Sequence, residues 1–145
     1  MAQRTVSVGV VLYRQDSVLL VEHTEKARLP TGAHGFPAGR VEDGESLEDA
    51  AVRELSEETG LETAVDYLRR LPEIKSTLRM KTGTEDFTFY PFLCTGYSGQ
   101  LRISEKTIPK FVNLDSLDRI ALITDDVKTI SRRYHNIPYS QLNRE

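Results

Sequence analysis

The order of elements read along the chain, β-β-loop-α-β-β-α, predicts a layered α+β or α/β/α domain. Three observations carry that prediction: apolar alternation near the N-terminus, one helix with both end signals, and an aromatic run past the middle. Val6, Val8, Val10 and Leu12 fall on one side of 5–13 at period two, which predicts a half-buried strand. Gln15-Asp16 supplies a turn and 17–22 (SVLLVE) a second strand, so the pair is expected to form a hairpin. Residues 24–39 hold two prolines and three glycines among polar residues, the composition of a long irregular loop. Loops of that length inside compact domains are usually functional or disordered.

The clearest helix spans 46–59. Ser46 with Asp49 three residues later resembles a capping box, and Gly60 stands where a C-cap belongs. Leu47, Ala51 and Leu55 at i, i+4 and i+8 make its core stripe. Residues 86–95 (DFTFYPFLCT) read as an aromatic strand in which Pro91 marks an edge or a bulge. A short strand is expected at 110–114 (KFVNL). Val127, Ile130 and Tyr134 at i, i+3 and i+7 place a second helix over 125–134, with Thr124 or Asp125 as its cap. The chain 1–145 reads as one domain with no repeat or linker, and 135–145 as a tail, docked or frayed.

Composition narrows the function classes. Hydrophobic residues make up 39% and charged residues 28%, which excludes a disordered acidic tail and a membrane span. Nineteen Lys+Arg against 22 Asp+Glu argue against a non-specific nucleic-acid binder, while a small phosphorylated ligand stays open. The single cysteine, Cys94, leaves no internal disulfide framework and no cysteine zinc cluster. The apolar N-terminal stretch is too short and too alternating for a signal peptide, so a cytoplasmic protein is expected.

The chemistry is concentrated in 39–61, GRVEDGESLEDAAVRELSEETGL. Glu54, Glu57 and Glu58 stand at i, i+3 and i+4, a helix arc of about 100° that abuts the Leu47/Ala51/Leu55 stripe. On a solvated helix face such like-charge pairs cost only ~0.2–0.5 kcal/mol, and three glutamates alone would pass for ordinary surface. At the rim of a core the account differs: two charges about 6 Å apart repel by roughly 2–3 kcal/mol at an effective dielectric of ~20. Arg53 can answer Glu57 at i+4, but one guanidinium cannot neutralise three carboxylates. Hard oxygen donors with no Cys or His nearby suit Mg²⁺ or Mn²⁺, and the negative end of the helix dipole adds to the attraction.

This stretch resembles the Nudix box, the signature of the Nudix hydrolases, met here by Gly39, Glu45, Arg53, Glu54, Leu55, Glu57, Glu58, Gly60 and Leu61 with no departure. The resemblance implies an α/β/α sandwich with a mixed central sheet flanked by helices. It implies a Mg²⁺-dependent hydrolase, with Mn²⁺ as a substitute, that cleaves the pyrophosphate bond of a nucleoside diphosphate linked to another moiety. Carried over by position, Glu54, Glu57 and Glu58 would be metal ligands with the Gly39 carbonyl. Glu54 would be the in-helix candidate for activating water, and Arg53 would orient a carboxylate. Glu45 would support the loop or bind metal through water, and Gly60 would close the helix. Glu105 lies in a loop where some relatives place an extra carboxylate base. The partner implied is a small nucleotide, with no nucleic acid and no membrane, and a monomer or homodimer.

Outside the box the readings are ordinary or open. His23 and His34 read as strand-end histidines, and Phe87, Phe89, Tyr90 and Phe92 as mostly core, with one ring a candidate to stack on a base. Arg28, Arg40, Arg102 and Lys110 are candidates for phosphate contacts. The tyrosine that marks many dinucleoside polyphosphate hydrolases is replaced by Thr77, Leu78 and Arg79, and Pro72 falls short of the position that marks many ADP-ribose hydrolases. Leu19, Leu20, Arg28, Gly32, Phe36, Pro37 and Gly39 fit the spacing of a coenzyme A pyrophosphatase signature, whereas Val21, His23, Thr24 and Ala38 do not. The compact length favours a MutT-like enzyme acting on a nucleoside triphosphate. ADP-ribose, ADP-sugar or coenzyme A hydrolysis is the alternative, and a catalytically silent nucleotide-binding regulator the rival of another class. An isomerase on the same fold would need a cysteine at the site, for which Cys94 on a strand outside the box is poorly placed.

Overall fold

The structure is a computed structural model and describes residues 4–137. Its elements are β1 (Thr5–Val11), β2 (Tyr13–Arg14), β3 (Ser17–His23), β4 (His34–Gly35), β5 (Ala38–Arg40), α1 (Leu47–Thr59), β6 (Leu68–Arg70), β7 (Ile74–Met80), β8 (Gly83–Cys94), β9 (Thr107–Asn113) and α2 (Asp126–Arg133). Short 3-10 turns occupy Val65–Tyr67 and Leu114–Arg119.

Two sheets form the middle layer. In the first, β1 pairs with β5 antiparallel on one edge and with β8 parallel on the other, and β6 and β7 follow one another along the far side of β8. In the second, β3 lies between β9 on one side and the short β2 and β4 on the other. Chain neighbours split between the two faces because strand side chains alternate. Val10, Leu19 and Phe92 pack beneath α1 with Ala51 and Leu55, while Val11, Leu20 and Leu93 pack beneath α2 with Val127 and Ile130. Each such side chain contributes about 1.5–3 kcal/mol by leaving water. The result is the α/β/α sandwich with a mixed sheet that the box implied.

Several expectations are corrected. From Ser7 onward the first strand is covered on both faces rather than half-buried, Ser7 and Val11 being enclosed like Val8 and Val10, because its sheet has a helix layer on either side; Val6, expected on the buried side, is exposed. Only its continuation at Tyr13–Arg14 enters the hairpin, with Gln15 at φ 54° in the turn. Pro91 is not at an edge, since β8 is paired on both sides. It sits at a bulge, where 71–73 lie opposite 90–91 between the ladders of β6 and β7. The 24–39 loop contains β4 and the start of β5, and β9 begins at Thr107 rather than at 110.

Helix α1 has the ends its sequence announces. Ser46 Oγ accepts from the Asp49 N–H at 3.0 Å, and Gly60 adopts φ 83° at the C-cap. Helix α2 is capped differently: Asp125 makes no side-chain cap bond, and Thr124 Oγ1 accepts from the Asp126 N–H at 3.4 Å. At the start of the expected tail, a His135 ring nitrogen lies 2.9 Å from the Gln15 carbonyl; 138–145 lie outside the described residues.

A Cβ at Gly60 would stand 2.8 Å from the Gln100 carbonyl in addition to its left-handed φ. Gly60→Ala should therefore destabilise the fold by at least about 1–2 kcal/mol. Denaturant unfolding at constant slope is the check, and an unchanged midpoint would contradict the packing described.

Candidate active site

The last two turns of α1 carry Arg53, Glu54, Glu57 and Glu58 beside strand β5. The fit at Gly39 is close: a Cβ there would meet the Glu54 carboxyl carbon at 2.2 Å, so any side chain at this position would push the Glu54 carboxyl out of its place. Arg53 sits in the middle of the acidic group. Its Nε and Nη2 grip Glu45 at 2.7 and 2.9 Å, and its Nη1 reaches Glu54 at 2.7 Å and Glu57 at 3.2 Å. The same guanidinium donates to the Arg40 carbonyl at 3.0 Å, which fastens the helix to the strand. Glu45 Oε1 also accepts from the Glu42 N–H at 3.0 Å, which closes the 42–45 turn. Glu58 points the other way, accepting from the Ala38 N–H at 2.6 Å.

These environments pull the carboxyls apart in acidity. Hydrogen bonds from Arg53 hold Glu45 down to about 2. Glu54 is only 8% exposed, and burial, only partly offset by Arg53, pushes its carboxyl up to about 6. Burial with the neighbouring Glu54 and Glu57 charges pushes Glu58 up to about 8, against the Ala38 N–H. The carboxylates around Arg53 raise it further above its ordinary range. Glu57 faces outward, its side chain 58% exposed.

Beside this seam lies a cavity of about 440 Å³. Gly39, Glu42, Arg53, Glu54 and Glu58 form its polar wall, and Phe36, Leu78, Met80, Phe87 and Phe89 an apolar one. Thr124, Asp126 and Val127 line it from the start of α2, and Arg28, Arg40 and Lys106 also reach it.

Other sequence candidates divide. Phe87 and Phe89 face the cavity, whereas Phe92 is core and Tyr90 packs against it. Buried His23 lines the cavity, its Nδ1 2.7 Å from the Ala33 carbonyl, and burial pulls it below the ordinary histidine value. His34 is tied to the Ala121 carbonyl instead. Glu105 is exposed, 3.8 Å from Lys26, and does not line the cavity, whereas its neighbour Lys106 does. Lys110 pairs with Glu22 at 2.6 Å and Arg102 reaches the Ser56 carbonyl; neither lines the cavity. Cys94 lies elsewhere, its thiol pushed up by burial. Lys106 and Asp126 were missed because no periodicity or motif marks a lone charged residue beside a cavity.

Among the described residues, no three His, Cys, Asp or Glu side chains are grouped so as to hold a metal ion as they stand. The acidic residues of 39–61 are together in space, but Arg53 lies among Glu45, Glu54 and Glu57, and Glu58 is turned to Ala38. The donor set nevertheless fits a hard divalent cation: it is all oxygen, burial raises two of its carboxyls, Glu58 far enough to keep its proton near neutral pH, and the Gly39 backbone lies directly against Glu54.

The family model for the NUDIX domain matches residues 3–133. The chain belongs to the Nudix hydrolase family. This Nudix chain is similar in structure to a MutT NUDIX hydrolase from Burkholderia pseudomallei, with a TM-score of 0.75 and 24% identity over 92% of this chain and 99% of that one. A MutT protein from Methanosarcina mazei Go1 gives 0.75 and 19% over 94% and 100%. The NUDIX domain of Shewanella oneidensis NrtR, complexed with ADP ribose, gives 0.65 and 24% over 91% and 86%. In sequence it is 47% identical over 60 residues to the NAD-capped RNA hydrolase NudC of Escherichia coli O157:H7, 41% of this chain and 21% of that protein. The Nudix chain thus matches only about a fifth of that relative's length. No helix among the described residues is long and apolar enough to cross a membrane.

The acidity of Glu58 fixes a sign. Its folded value, about 8, lies above the ordinary 4.5, so the unfolded chain loses its proton first as pH rises. The stability this group contributes is complete below about 4.5 and is lost as pH climbs through about 8. In chelator, the Tm of the wild type should fall between pH 5 and about 8.5, and less so in Glu58→Gln, which mimics the neutral acid. Parallel Tm–pH curves for the two proteins would contradict the assignment.

Proposed function

We propose that this chain is a divalent-metal-dependent pyrophosphohydrolase that cleaves a nucleoside diphosphate linked to another moiety, with a nucleoside triphosphate as the favoured substrate. The observation that carries the reading is the shared wall: the Gly39/Glu54/Glu58 seam faces the same cavity as an apolar wall containing Phe36, Phe87 and Phe89. Aromatic faces of that kind suit a nucleobase, and the acidic seam suits the cation that accompanies a diphosphate. Glu54, Glu57, Glu58 and the Gly39 carbonyl would hold Mg²⁺ or Mn²⁺. When bound, such ions neutralise phosphate charge and acidify water.

The residues of the chain supply the rest. Glu54, raised toward neutrality by burial, accepts a proton from the attacking water. A phosphorus–oxygen bond forms to that water, and the bond from the same phosphorus to the bridging oxygen breaks. The electron pair leaves on the departing phosphate. Arg53 keeps the Glu54 carboxyl in place and ties it to Glu45 and the Arg40 carbonyl. Lys106 is placed to meet phosphate charge at the cavity wall.

A second reading, a nucleoside diphosphate joined to a sugar, is favoured by the ADP ribose bound to the NrtR domain. Activity against a panel of nucleoside triphosphates and diphosphate sugars, with Mg²⁺ and with Mn²⁺, separates the two by the product released. Under either reading, Glu54→Gln and Glu58→Gln should each lower turnover by about 10²–10³-fold while leaving the circular dichroism of the fold intact. Glu105→Gln should stay within about twofold of wild type, because that carboxylate does not line the cavity. Near-normal rates in both helix variants, or collapse in Glu105→Gln, would contradict the mechanism.

A further inference from the structure

Two arginines, one from a loop and one from a strand, converge on one carboxylate beside the cavity. Arg28 lies in the segment after β3, and Arg40 lies in β5, directly after Gly39. Arg40 Nη2 stands 2.8 and 2.7 Å from the two oxygens of Glu85, and Arg28 Nη2 stands 3.2 Å from Glu85 Oε1. Thr5 Oγ1 donates to the other oxygen at 2.8 Å, so Glu85 is itself held. The turn between β7 and β8 fixes the segment that carries Arg28: the Lys81 N–H donates to the Arg28 carbonyl at 2.9 Å, and Lys81 Nζ to the Glu25 carbonyl at 2.7 Å.

One carboxylate between two guanidiniums leaves one positive charge uncompensated. Both arginines line the cavity, and their side chains are 57% and 48% exposed. Within the described residues each uses only Nη2 in a side-chain hydrogen bond, so the remaining donors of two planar forks stay available. Paired forks of this kind match the oxygens of a phosphoryl group. The acidic seam and the arginine pair also share strand β5, since Gly39 abuts Glu54 and the next residue reaches Glu85. The cavity therefore has an acidic pole and a basic pole along one short strand.

We propose that Arg28 and Arg40, positioned by Glu85, form a binding site for a terminal phosphoryl group of the substrate that lies outside the anhydride bond being cleaved. The proposal rests on the hydrolase reading above in placing that anhydride at Glu54 and Glu58. Two kinds of nucleotide present such a group: a triphosphate at its terminal phosphoryl, and a dinucleotide-like diphosphate at a phosphate on the ribose. Glu85 acts through the arginines, keeping two like charges together and ordered.

Calorimetric titration of the full chain in chelator, with inorganic triphosphate and separately with pyrophosphate, tests the site without turnover. The wild type should prefer triphosphate by about tenfold or more, and the double variant Arg28→Ala/Arg40→Ala should bring the ratio near one. Glu85→Ala should weaken triphosphate binding by about tenfold, and Glu85→Gln, which keeps an acceptor for the guanidiniums, by less. Tighter binding in both Glu85 variants would mean that charge removal outweighs positioning and would overturn the role of Glu85. An unchanged ratio in the double arginine variant would overturn the site. Glu54→Gln should retain the preference, so failure of hydrolysis and failure of this site are read separately. With Mg²⁺ present, the double variant should raise KM more than it lowers kcat. A rise of about tenfold for a nucleoside triphosphate places the group at the chain terminus, and one for a ribose-phosphorylated diphosphate places it on the sugar. A rise for neither overturns the proposal.

Discussion

Arg53 against its ring of glutamates is the interaction on which the remainder of the site depends. A single guanidinium spans Glu45, Glu54 and Glu57 and reaches the Arg40 carbonyl, so it sets the 42–45 turn, the helix and strand β5 in one arrangement. It cannot also reach Glu58, whose contact is the Ala38 N–H. Burial is what raises Glu54 and Glu58, and the carboxylate charge that Arg53 leaves unanswered adds to it. On the proposed reading, Glu58 keeps its proton in such a seam and gives it up when a cation binds. Removing one partner from such a network strands the others, which is why its members are coupled rather than independent.

The layers make this possible. Leu55 is fully buried beneath α1, while Glu54, the residue before it, emerges at the rim where β5 passes. The covering of the central strands by helices on both faces gives the seam a rigid backing, and strands of both sheets line the cavity beside it. Arg28 and Lys106 reach that cavity from the segments flanking the second sheet, and Arg40 and Glu54 from the first sheet and its helix.

Sequence reasoning reached the parts whose signals are local. Ser46, the Leu47/Ala51/Leu55 stripe and Gly60 announce α1 because caps and periodicity act within one element. The motif residues of 39–61 are legible for the same reason. What it missed depends on partners far along the chain. Ile74–Met80 does alternate, with Lys75, Thr77 and Arg79 outward, but its polar Ser76 on the inner side weakened the pattern. Pro91 left an edge and a bulge open, and the bulge it meets is made by 71–73, remote in sequence. Burial of both faces of β1 follows from the helices that cover them, not from its own residues. Glu85, Arg28 and Arg40 meet across 57 and 45 positions, a convergence that no spacing rule reveals.

We propose that Glu54 and Glu58 form a cation seat in which Glu58 keeps its proton until the ion binds. Calorimetric titration of Mn²⁺ in buffers of different ionisation enthalpy counts the protons released on binding. With Glu58 near 8, binding at pH 7 should expel about one proton, and the number should fall toward zero by about pH 9. Binding that releases no proton at pH 7, or no binding at all, would contradict the account.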